Sequence, residues 1–518
     1  MIKPQIRRPL ISLLILSQVT LAASPAPRGS SPLDLQLPGT QGYLNGALTP
    51  SADLGERRHD IDLPEIGDPS GTIITPLQEK ELGEAFFRNL HNEVSVNEDP
   101  EIGDYIQTIG QKLAANSDNP SQVFRFFVVT DPTINAFAGP GGFIGVNSGL
   151  ILTSEAESEL ASVLAHEIAH VTQRHLYQAF QAASRLSLPT AAAMLAAVLL
   201  GAKAGSGQLG QAAIMAAQAA NIQYQINFTR DNEAEADRVG MQTLSRSEFD
   251  PRAMPTFFER MQQSTRFAGR DLPEFLLTHP VTVSRISDTR GRAETFPYRQ
   301  YPDSFTYQLV RAKLRVQTAA TPQQAIDYFK AIGNQGTRQQ QDVARYGLAQ
   351  ALIAALKLNE GKQILQKLVL QYPEQSHFIN ALAYAEVETR NYSEALRLYL
   401  AAMERFPGNR AVRLNYTKAL LLTGKAREAR ALLEDLVHEP SPSPEIFNLM
   451  GQSYSALGQE AQSHRYVAEA YYAGGQTRAA ILQLKIARKL AGNDFYVNAV
   501  IDERLKQFIA EEEERRKR

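Results

Sequence analysis

A period of 34 residues in the second half of the chain limits the possible fold more than any other feature. At the predicted turn between two helices, Asn391, Lys425 and Gln459 follow one another at this step. Small residues keep the same step inside the helices, Ala383, Thr417 and Gly451 in the first helix of each pair and Ala395, Ala429 and Ser463 in the second. Three units in register are hard to obtain by chance, so they predict stacked helix pairs that each pack on their neighbours.

The pattern resembles tetratricopeptide repeats, which have this period. We therefore expect an all-α solenoid over residues 305–500, with weaker units upstream of the three clear ones. Solenoids present a concave surface, which predicts the docking of protein partners; the alternative is an array that only stabilises the domain before it. After the array, Glu511–Glu514 stand four residues before Arg515–Arg518, which is typical of a solvated helix, here expected over residues 501–518.

Composition narrows the classes of function. The 518 residues include 53 basic and 55 acidic side chains, so the bulk charge gives no reason to expect nucleic-acid binding. The chain has no cysteine, which excludes disulfide frameworks, thiolate zinc sites and cysteine nucleophiles. Any metal must therefore be held by histidine and carboxylate, and the chain has only 9 histidines.

The start of the chain has the pattern of an export signal. Basic residues precede an apolar run over residues 10–16, and small residues follow at 22–24. Because a membrane-spanning helix needs roughly 20 apolar residues, we predict a signal peptide over residues 1–23 that is removed on export. Residues 24–75 are rich in proline and glycine and are expected to form an extended arm or linker without chemistry of its own.

Residues 76–298 have the pattern of helices beside a short sheet. Phe124–Val129 and Gly142–Val146 are strand candidates, and Ser154–His175 is expected to be one long helix capped at Thr153 or Ser154. The predicted fold is therefore α+β, a mostly helical, zincin-like domain with a small sheet that precedes the solenoid.

The segment Pro189–Ala202 in this domain is almost wholly apolar. It is short for a membrane span. Two interpretations stay open at this point: a helix packed in the core or between domains, and a membrane-surface or mobile gating segment.

The clearest chemical motif is H-E-I-A-H at residues 166–170. A spacing of four puts His166 and His170 on one helix face, where both can reach one cation about 2 Å from each nitrogen. Glu167 lies beside that face and can take a proton from the water that a catalytic metal activates. A structural zinc site would not need this glutamate, so the motif predicts one catalytic zinc ion per chain. His175, five residues after His170, is expected to point elsewhere and to act at the helix end.

A third ligand must come from a carboxylate, and the acidic stretch over residues 230–237 is the best candidate. Glu233 and Asp237 share a helix face, whereas Glu235 is turned away from them. We expect Glu233 to bind the metal and Asp237 to accept the second ring N–H of a ligand histidine. The alternative is a solvated acidic first turn of a helix.

H-E-x-x-H followed by E-A-E-A-D resembles the zinc metallopeptidases of the gluzincin type that are related to the HtpX heat-shock protease and the CAAX prenyl protease. The stretch N-A-F-A-G-P-G-G at Asn135–Gly142 is similar to the N-A-F-x-x-P-G-G strand of that family. In the family this strand lies at the edge of the cleft, where a peptide can add by β-augmentation. The resemblance thus implies that Asn135, Ala136 and Phe137 contact the substrate.

The resemblance also implies roles for single residues. Glu233 becomes the third zinc ligand and Glu167 the catalytic base. The family arrangement Thr278-His279-Pro280 is present, and it implies that His279 is a fourth, displaceable ligand that closes the site. Arg285 is a candidate for stabilising the tetrahedral oxyanion. Without the resemblance, His279 is a loop histidine and Arg285 a surface arginine.

The export signal and the repeats, without a bundle of spanning helices, are most similar to periplasmic members of the family in Gram-negative bacteria. The resemblance implies a zinc endopeptidase with a chaperone-like role, which cleaves misassembled outer-membrane β-barrel proteins docked by its repeats. It implies as partners these proteins and their assembly machinery, and at most peripheral membrane contact. The alternative is a binding or chaperone module whose closed zinc site is structural or latent.

Overall fold

The computed structural model describes residues 75–176, 191–192, 195–196, 230–267, 274–299, 301–302, 304–439 and 442–516. The predicted signal peptide over residues 1–23 lies outside the described residues, as does the arm over 24–75 except for Thr75. The described residues of the segment Pro189–Ala202 are all buried in the core of the N-terminal domain: Ala191, Ala192, Leu195 and Ala196. At these positions the structure favours the interpretation as a core helix.

The N-terminal domain, residues 76–298, combines helices with a small sheet. Its elements are α1 (Pro76–Glu93), α2 (Pro100–Ala114), β1 (Arg125–Val129), β2 (Ala136–Ala138), a 3-10 turn (Pro140–Gly142), β3 (Phe143–Asn147), α3 (Ser148–Thr153), α4 (Glu157–Thr172), α5 (Arg230–Arg246), α6 (Ala253–Phe267), α7 (Glu274–Thr278) and α8 (Val283–Thr295). In the part of the chain that the structure describes, every helix is too short or too polar to cross a membrane. The predicted α+β fold is confirmed.

The sheet has the strand order β1-β3-β2. β1 runs parallel to β3, with Arg125 opposite Phe143, and β2 runs antiparallel to β3, with Phe137 opposite Gly145. Both predicted strands are present, and each begins one residue later than expected. β2 is an edge strand among the described residues, and it packs on α4.

The predicted helix Ser154–His175 is wrong at both ends, because α4 begins at Glu157 and ends at Thr172, and a separate helix, α3, lies directly before it. α3 ends at Thr153, and the Ser154 hydroxyl donates a 3.0 Å hydrogen bond to the carbonyl of Leu150 in that helix. A serine that closes one helix in this way does not cap the next one. α4 therefore begins at Glu157, after Ala156, without a side-chain cap.

The repeat array, residues 305–500, is a series of antiparallel helices followed by a terminal helix. Its elements are α9 (Phe305–Thr318), α10 (Pro322–Ile332), α11 (Arg338–Ala354), α12 (Leu358–Gln371), α13 (Ser376–Glu388), α14 (Tyr392–Arg405), α15 (Arg410–Leu422), α16 (Ala426–Leu433), a 3-10 turn (Leu436–His438), α17 (Pro444–Ala456), α18 (Glu460–Ala473), α19 (Thr477–Leu490) and α20 (Phe495–Arg516). The terminal helix α20 begins before the predicted residue 501.

Backbone geometry confirms the period and extends it by one unit. Leu356, Arg390, Gly424 and Gly458 stand 34 residues apart and have φ values of 61°, 59°, 77° and 72°. This left-handed conformation turns the first helix of each pair into the second, and glycine adopts it most easily. The first two turns lack glycine, and so the upstream unit has a weaker sequence signal.

Helix α9 belongs to both domains. Its Tyr307 is fully buried in the N-terminal core, and the Tyr307 hydroxyl lies 3.1 Å from the Ile151 carbonyl and 2.9 Å from that of Ser154. Leu309 and Ala312 of the same helix are buried in the core of the array. The two domains therefore share a helix rather than a flexible linker.

A buried ion-pair network joins the start of α2 to the first helices of the array. The Lys313 amine in α9 lies 2.8 Å from a carboxylate oxygen of Asp99 and 2.6 Å from one of Glu101. The Asn380 amide in α13 donates a 2.7 Å hydrogen bond to Glu101, and Asn415 in α15 donates one of 3.1 Å to Asn380. The N-terminal domain of the same chain thus covers this part of the array.

The network predicts the effect of removing its cation. Burial by itself lowers the pKa of Lys313, but Asp99 and Glu101 outweigh it and hold this pKa well above its ordinary value. Lys313→Met leaves the buried Glu101 and the largely buried Asp99 without their cation and should destabilise the fold by about 3 kcal/mol. Chemical denaturation followed by circular dichroism measures the midpoint. Lys330→Met, at an exposed position of α10, is the control. Equal midpoints for the two variants would contradict the importance of this network.

Candidate metal centre

Helix α4 holds the H-E-I-A-H motif inside the core. Every residue from Glu159 to His170 in this helix is buried, because α2, α5, α6 and the sheet pack around it. His166 and His170 point to the same side of α4, as their spacing of four predicts. A helix buried all round cannot leave these side chains to water, so their partners must come from the neighbouring elements.

Helix α5 supplies carboxylates because it approaches α4 closely. Gly240 makes this approach possible, since a Cβ atom at that position would lie 3.2 Å from the backbone nitrogen of His166. Glu233 and Asp237, one turn apart on α5, are buried against α4 and are 3% and 1% exposed. The predicted pairing of the two motifs is therefore present in the structure.

Four side chains bring ligand atoms together at one point: His166, His170, Glu233 and His279. The Nε2 atom of His170 lies 3.0 Å from Nε2 of His166 and 3.3 Å from Oε1 of Glu233. The Nδ1 atom of His279 lies 3.3 Å from Nε2 of His166 and 2.9 Å from Oε1 of Glu233. Ligand atoms about 2 Å from a tetrahedral cation stand about 3.3 Å apart, so this cluster has the size of one metal site.

The charges around the cluster also favour a cation. His279 and His166 outweigh the effect of burial and hold the pKa of Glu233 well below its ordinary value, so this carboxylate stays ionised. Burial lowers the pKa of His166, but hydrogen bonds to Asp237 and Glu233 outweigh it and raise this pKa to about 9. A buried site that attracts positive charge, with nitrogen and carboxylate donors, fits a divalent transition-metal ion.

Asp237 and Arg285 lie behind the ligands. Oδ1 of Asp237 is 3.0 Å from Nδ1 of His166, on the side of the ring that faces away from the cluster. Arg285 donates to both carboxylate oxygens of Asp237, at 2.8 and 2.7 Å, and its Nη1 lies 2.6 Å from Oε2 of Glu233. This placement favours a positioning role for Arg285; its predicted contact with an oxyanion stays a prediction.

Glu167 lies next to the cluster without being part of it. The residue is 1% exposed, and its Oε1 has no hydrogen-bond partner among the described residues. The nearest ring nitrogen of His279 is 3.6 Å from this oxygen. Burial raises the pKa of Glu167, while the charges of His279 and His166 and a hydrogen bond from the Ala138 backbone oppose the rise. A carboxylate with a raised pKa can both take up and release a proton.

The predicted substrate-contacting residues lie on or next to β2. Asn135, Ala136 and Phe137 are all buried, at 2%, 1% and 4% exposure. The backbone N–H of Phe275 in α7 donates to the carbonyl of Ile134, directly before them, at 3.1 Å. The segment that carries His279 therefore covers the beginning of this edge strand, and a substrate contact of Asn135–Phe137 stays a prediction.

Sequence reasoning missed one neighbour of the cluster. His175 was expected to point away from His170, but its Nδ1 lies 2.9 Å from Nδ1 of His170. The expectation is wrong because α4 ends before His175, and the spacing rule holds only inside a helix. His175 is not part of the group of four candidate ligands, and its lack of a ligand role stays a prediction.

Comparison with known proteins agrees with this geometry. Residues 101–293 match peptidase family M48, and residues 387–453 match a tetratricopeptide-repeat family. The Beta-barrel assembly-enhancing protease of Escherichia coli strain K12 is 33% identical over 449 residues, which are 86% of this chain and 90% of that protein. A protein of the same name from Yersinia pestis is 33% identical over 458 residues, 87% of this chain and 90% of its own. The Mitochondrial metalloendopeptidase OMA1 of Schizosaccharomyces pombe is 32% identical over 182 residues, 35% of this chain and 50% of that protein.

The cluster predicts stoichiometric metal binding. We expect the purified chain to retain one divalent metal ion after dialysis. His166→Ala should lose it, because only His170, Glu233 and the displaceable His279 would then remain to hold the cation. Elemental analysis of the dialysed proteins measures the ratio of metal to chain. His438→Ala, at an exposed histidine of the array, is the control. If both variants keep the same metal content, the cluster does not hold the metal.

Proposed function

Since the chain belongs to peptidase family M48 and is a metalloendopeptidase, we propose that it uses one zinc ion, held by His166, His170 and Glu233, to cleave protein substrates. The observation that carries the proposal is the buried ligand cluster with Glu167 beside it. Two imidazole nitrogens and one carboxylate oxygen are a ligand set of catalytic zinc sites. A closed structural site would gain nothing from burying a further carboxylate beside it.

The chemistry divides between the metal and the protein. Zinc, when bound, polarises the scissile carbonyl and lowers the pKa of a water molecule. Glu167 acts as the base and then delivers the proton to the leaving amine. Asp237 holds the ring of His166 in place, and Arg285 fixes Asp237 and Glu233 from behind.

His279 closes the site in the resting protein. Its Nδ1 points to the ligand cluster and its Nε2 to Glu167, so the ring fills the space between metal ligands and base. A site with four protein ligands offers no position for water or substrate, and a catalytic site keeps that position open. Cleavage therefore requires that His279 leaves the cluster.

The same segment restricts access to the proposed substrate strand. Phe275 is fully buried, stacks on the His279 ring with 5.0 Å between ring centroids, and is hydrogen-bonded to Ile134. A substrate that pairs with the edge of β2 at Asn135–Phe137 adds where this segment lies. Opening the zinc site and freeing the strand are thus one movement of residues 274–279.

The relatives' names and the export signal support a cellular role. We place the mature chain in the periplasm, where it acts on outer-membrane β-barrel proteins that have failed to assemble, next to their assembly machinery. The repeat array supplies the docking surface. Because Asp99 and Glu101 cover Lys313 and Asn380 of the array, partners use the surface that remains.

A second candidate function is a chaperone or binding module with a latent zinc site. The closed set of four ligands favours it, since this set would suit a site that never turns over. Glu167 separates the two functions, because a latent module has no use for the base.

The first test removes the base and keeps the metal. Glu167→Gln should lower the rate of cleavage of an unfolded protein by about 100-fold or more, with zinc content unchanged. The conversion of a denatured outer-membrane protein to fragments on gels measures the rate. Glu81→Gln, at an exposed position of α1, is the control. Equal cleavage by Glu167→Gln and wild type would disprove the catalytic role of Glu167.

The second test opens the site. His279→Ala should cleave faster than wild type while keeping its zinc, because three ligands remain and the closing side chain is gone. Initial cleavage rates and zinc content are measured on the same preparations, with His438→Ala as the control. A rate equal to or below that of wild type, with zinc retained, would rule out closure by His279.

A further inference from the structure

The end of α4 folds back on itself and returns His175 to His170. Arg174 has a left-handed backbone, with φ of 54°. The N–H of His175 donates to the carbonyl of His170 at 3.0 Å, and that of Arg174 donates to Val171 at 3.1 Å. These two bonds and the left-handed residue define a Schellman motif, which reverses the chain at a helix end. The motif places the two histidines side by side.

The returned side chain sits on the outer side of a metal ligand. Nε2 of His170 points to the cluster, and its Nδ1 lies 2.9 Å from Nδ1 of His175. On the far side of the His175 ring, Nε2 lies 3.4 Å from a carboxylate oxygen of Glu235. The His175 side chain is only 5% exposed, whereas that of Glu235 is 42% exposed. The contacts run in a line from the cluster to the protein surface.

This line of contacts determines where each proton is. A neutral His170 that binds a metal through Nε2 carries its proton on Nδ1. Nδ1 of His175 must then accept that proton's hydrogen bond, which leaves the His175 proton on Nε2, facing Glu235. Each of these ring nitrogens then either donates or accepts one hydrogen bond, and the last acceptor is the Glu235 carboxylate. For His166, a single contact of Nδ1 with Asp237 fixes the position of the ring proton in the same way.

Helix α5 contacts His166 and His175 with two different sides. Glu233 and Asp237 lie on the side that faces α4, while Glu235 lies between them in sequence and is turned away. Because α4 ends at Thr172 and the chain reverses, Glu235 meets His175 beyond that end. An acidic residue that cannot bind the metal is thus placed to act on a ligand indirectly.

We infer that His175 and Glu235 form a relay that fixes the tautomer and the orientation of His170 and so strengthens metal binding. Both are positioning residues, since neither reaches the ligand cluster. The inference rests on the proposed role of His170 as a metal ligand and adds the two residues that hold it. Such partners of a ligand histidine commonly change metal affinity by about 10- to 100-fold.

The test measures zinc affinity rather than activity. His175→Phe keeps a ring but removes the acceptor, and it should weaken zinc binding by about 10- to 100-fold. His175→Asn places its Oδ1 where Nδ1 stands, and it should recover most of the affinity. Competition with a chromogenic chelator at one fixed pH gives the dissociation constants. Thermal unfolding of the metal-free proteins reports whether the substitutions damage the fold.

The outcomes separate this relay from the proposed metal site. If wild type binds zinc and His170→Ala does not, the site stands whatever the relay shows. His175→Phe with wild-type affinity would overturn the inference. The inference would also be overturned if His175→Phe and His175→Asn lost zinc affinity equally and both lowered the thermal midpoint of the metal-free protein. The role of His175 would then be structural.

A third variant keeps the inference testable if His175→Phe does not fold. Glu235→Gln removes the charge at a partly exposed position, and it should weaken zinc binding several-fold. Asp231→Asn, an exposed carboxylate in the first turn of the same helix, is the matched control. Equal zinc affinity of these two variants would count against the relay.

Discussion

The burial of several ionisable groups between α4 and α5 is the constraint on which the rest of the structure depends. Glu167, Glu233 and Asp237 are each at most 3% exposed, and Arg285 is the permanently charged cation beside them. Uncompensated buried carboxylates cost several kcal/mol each. A divalent cation at the cluster would compensate the buried carboxylates better than protons on the histidines, because one cation contacts all the donor atoms at once. The close approach at Gly240 and the burial of α4 from Glu159 to His170 bring these groups together.

The contacts between the two domains follow from a related constraint. Glu101 at the start of α2 is buried, and its compensating partners, Lys313 and Asn380, come from the repeat array. At the other end of the array, Arg88 of α1 lies 3.3 Å from Glu511 of the terminal helix. Because α2 also packs on α4, which carries His166 and His170, this one helix contacts both the array and the proposed metal site.

Local rules predicted the parts of the site that lie within one helix. The pair His166 and His170 and the pair Glu233 and Asp237 follow from helical spacing alone, and the structure places them together. The role of His279 could not follow from spacing, because it lies after α7 and reaches the cluster only through packing of Phe275.

Other features depended on tertiary contacts that no sequence period contains. His175 returns to His170 because Arg174 adopts a conformation that the sequence signals only when glycine is present. The turn at Leu356, which also lacks glycine, was not predicted for the same reason. The contact of Glu101 with Asn380 depends on how the domains meet, and solenoid patterns carry no information about that.

The energetics of the closed state limit how it can open. Moving residues 274–279 exposes Phe275, which is fully buried, at a cost of about 1.5–3 kcal/mol. It also breaks the Phe275 to Ile134 hydrogen bond, worth about 1 kcal/mol. A substrate strand that pairs with β2 would replace this bond and bury apolar side chains where Phe275 lay. Under the proposed closure, a polypeptide that can add as a strand is therefore the ligand that best offsets the free-energy cost of opening. A folded protein without a free strand cannot offset this cost, and the site stays closed.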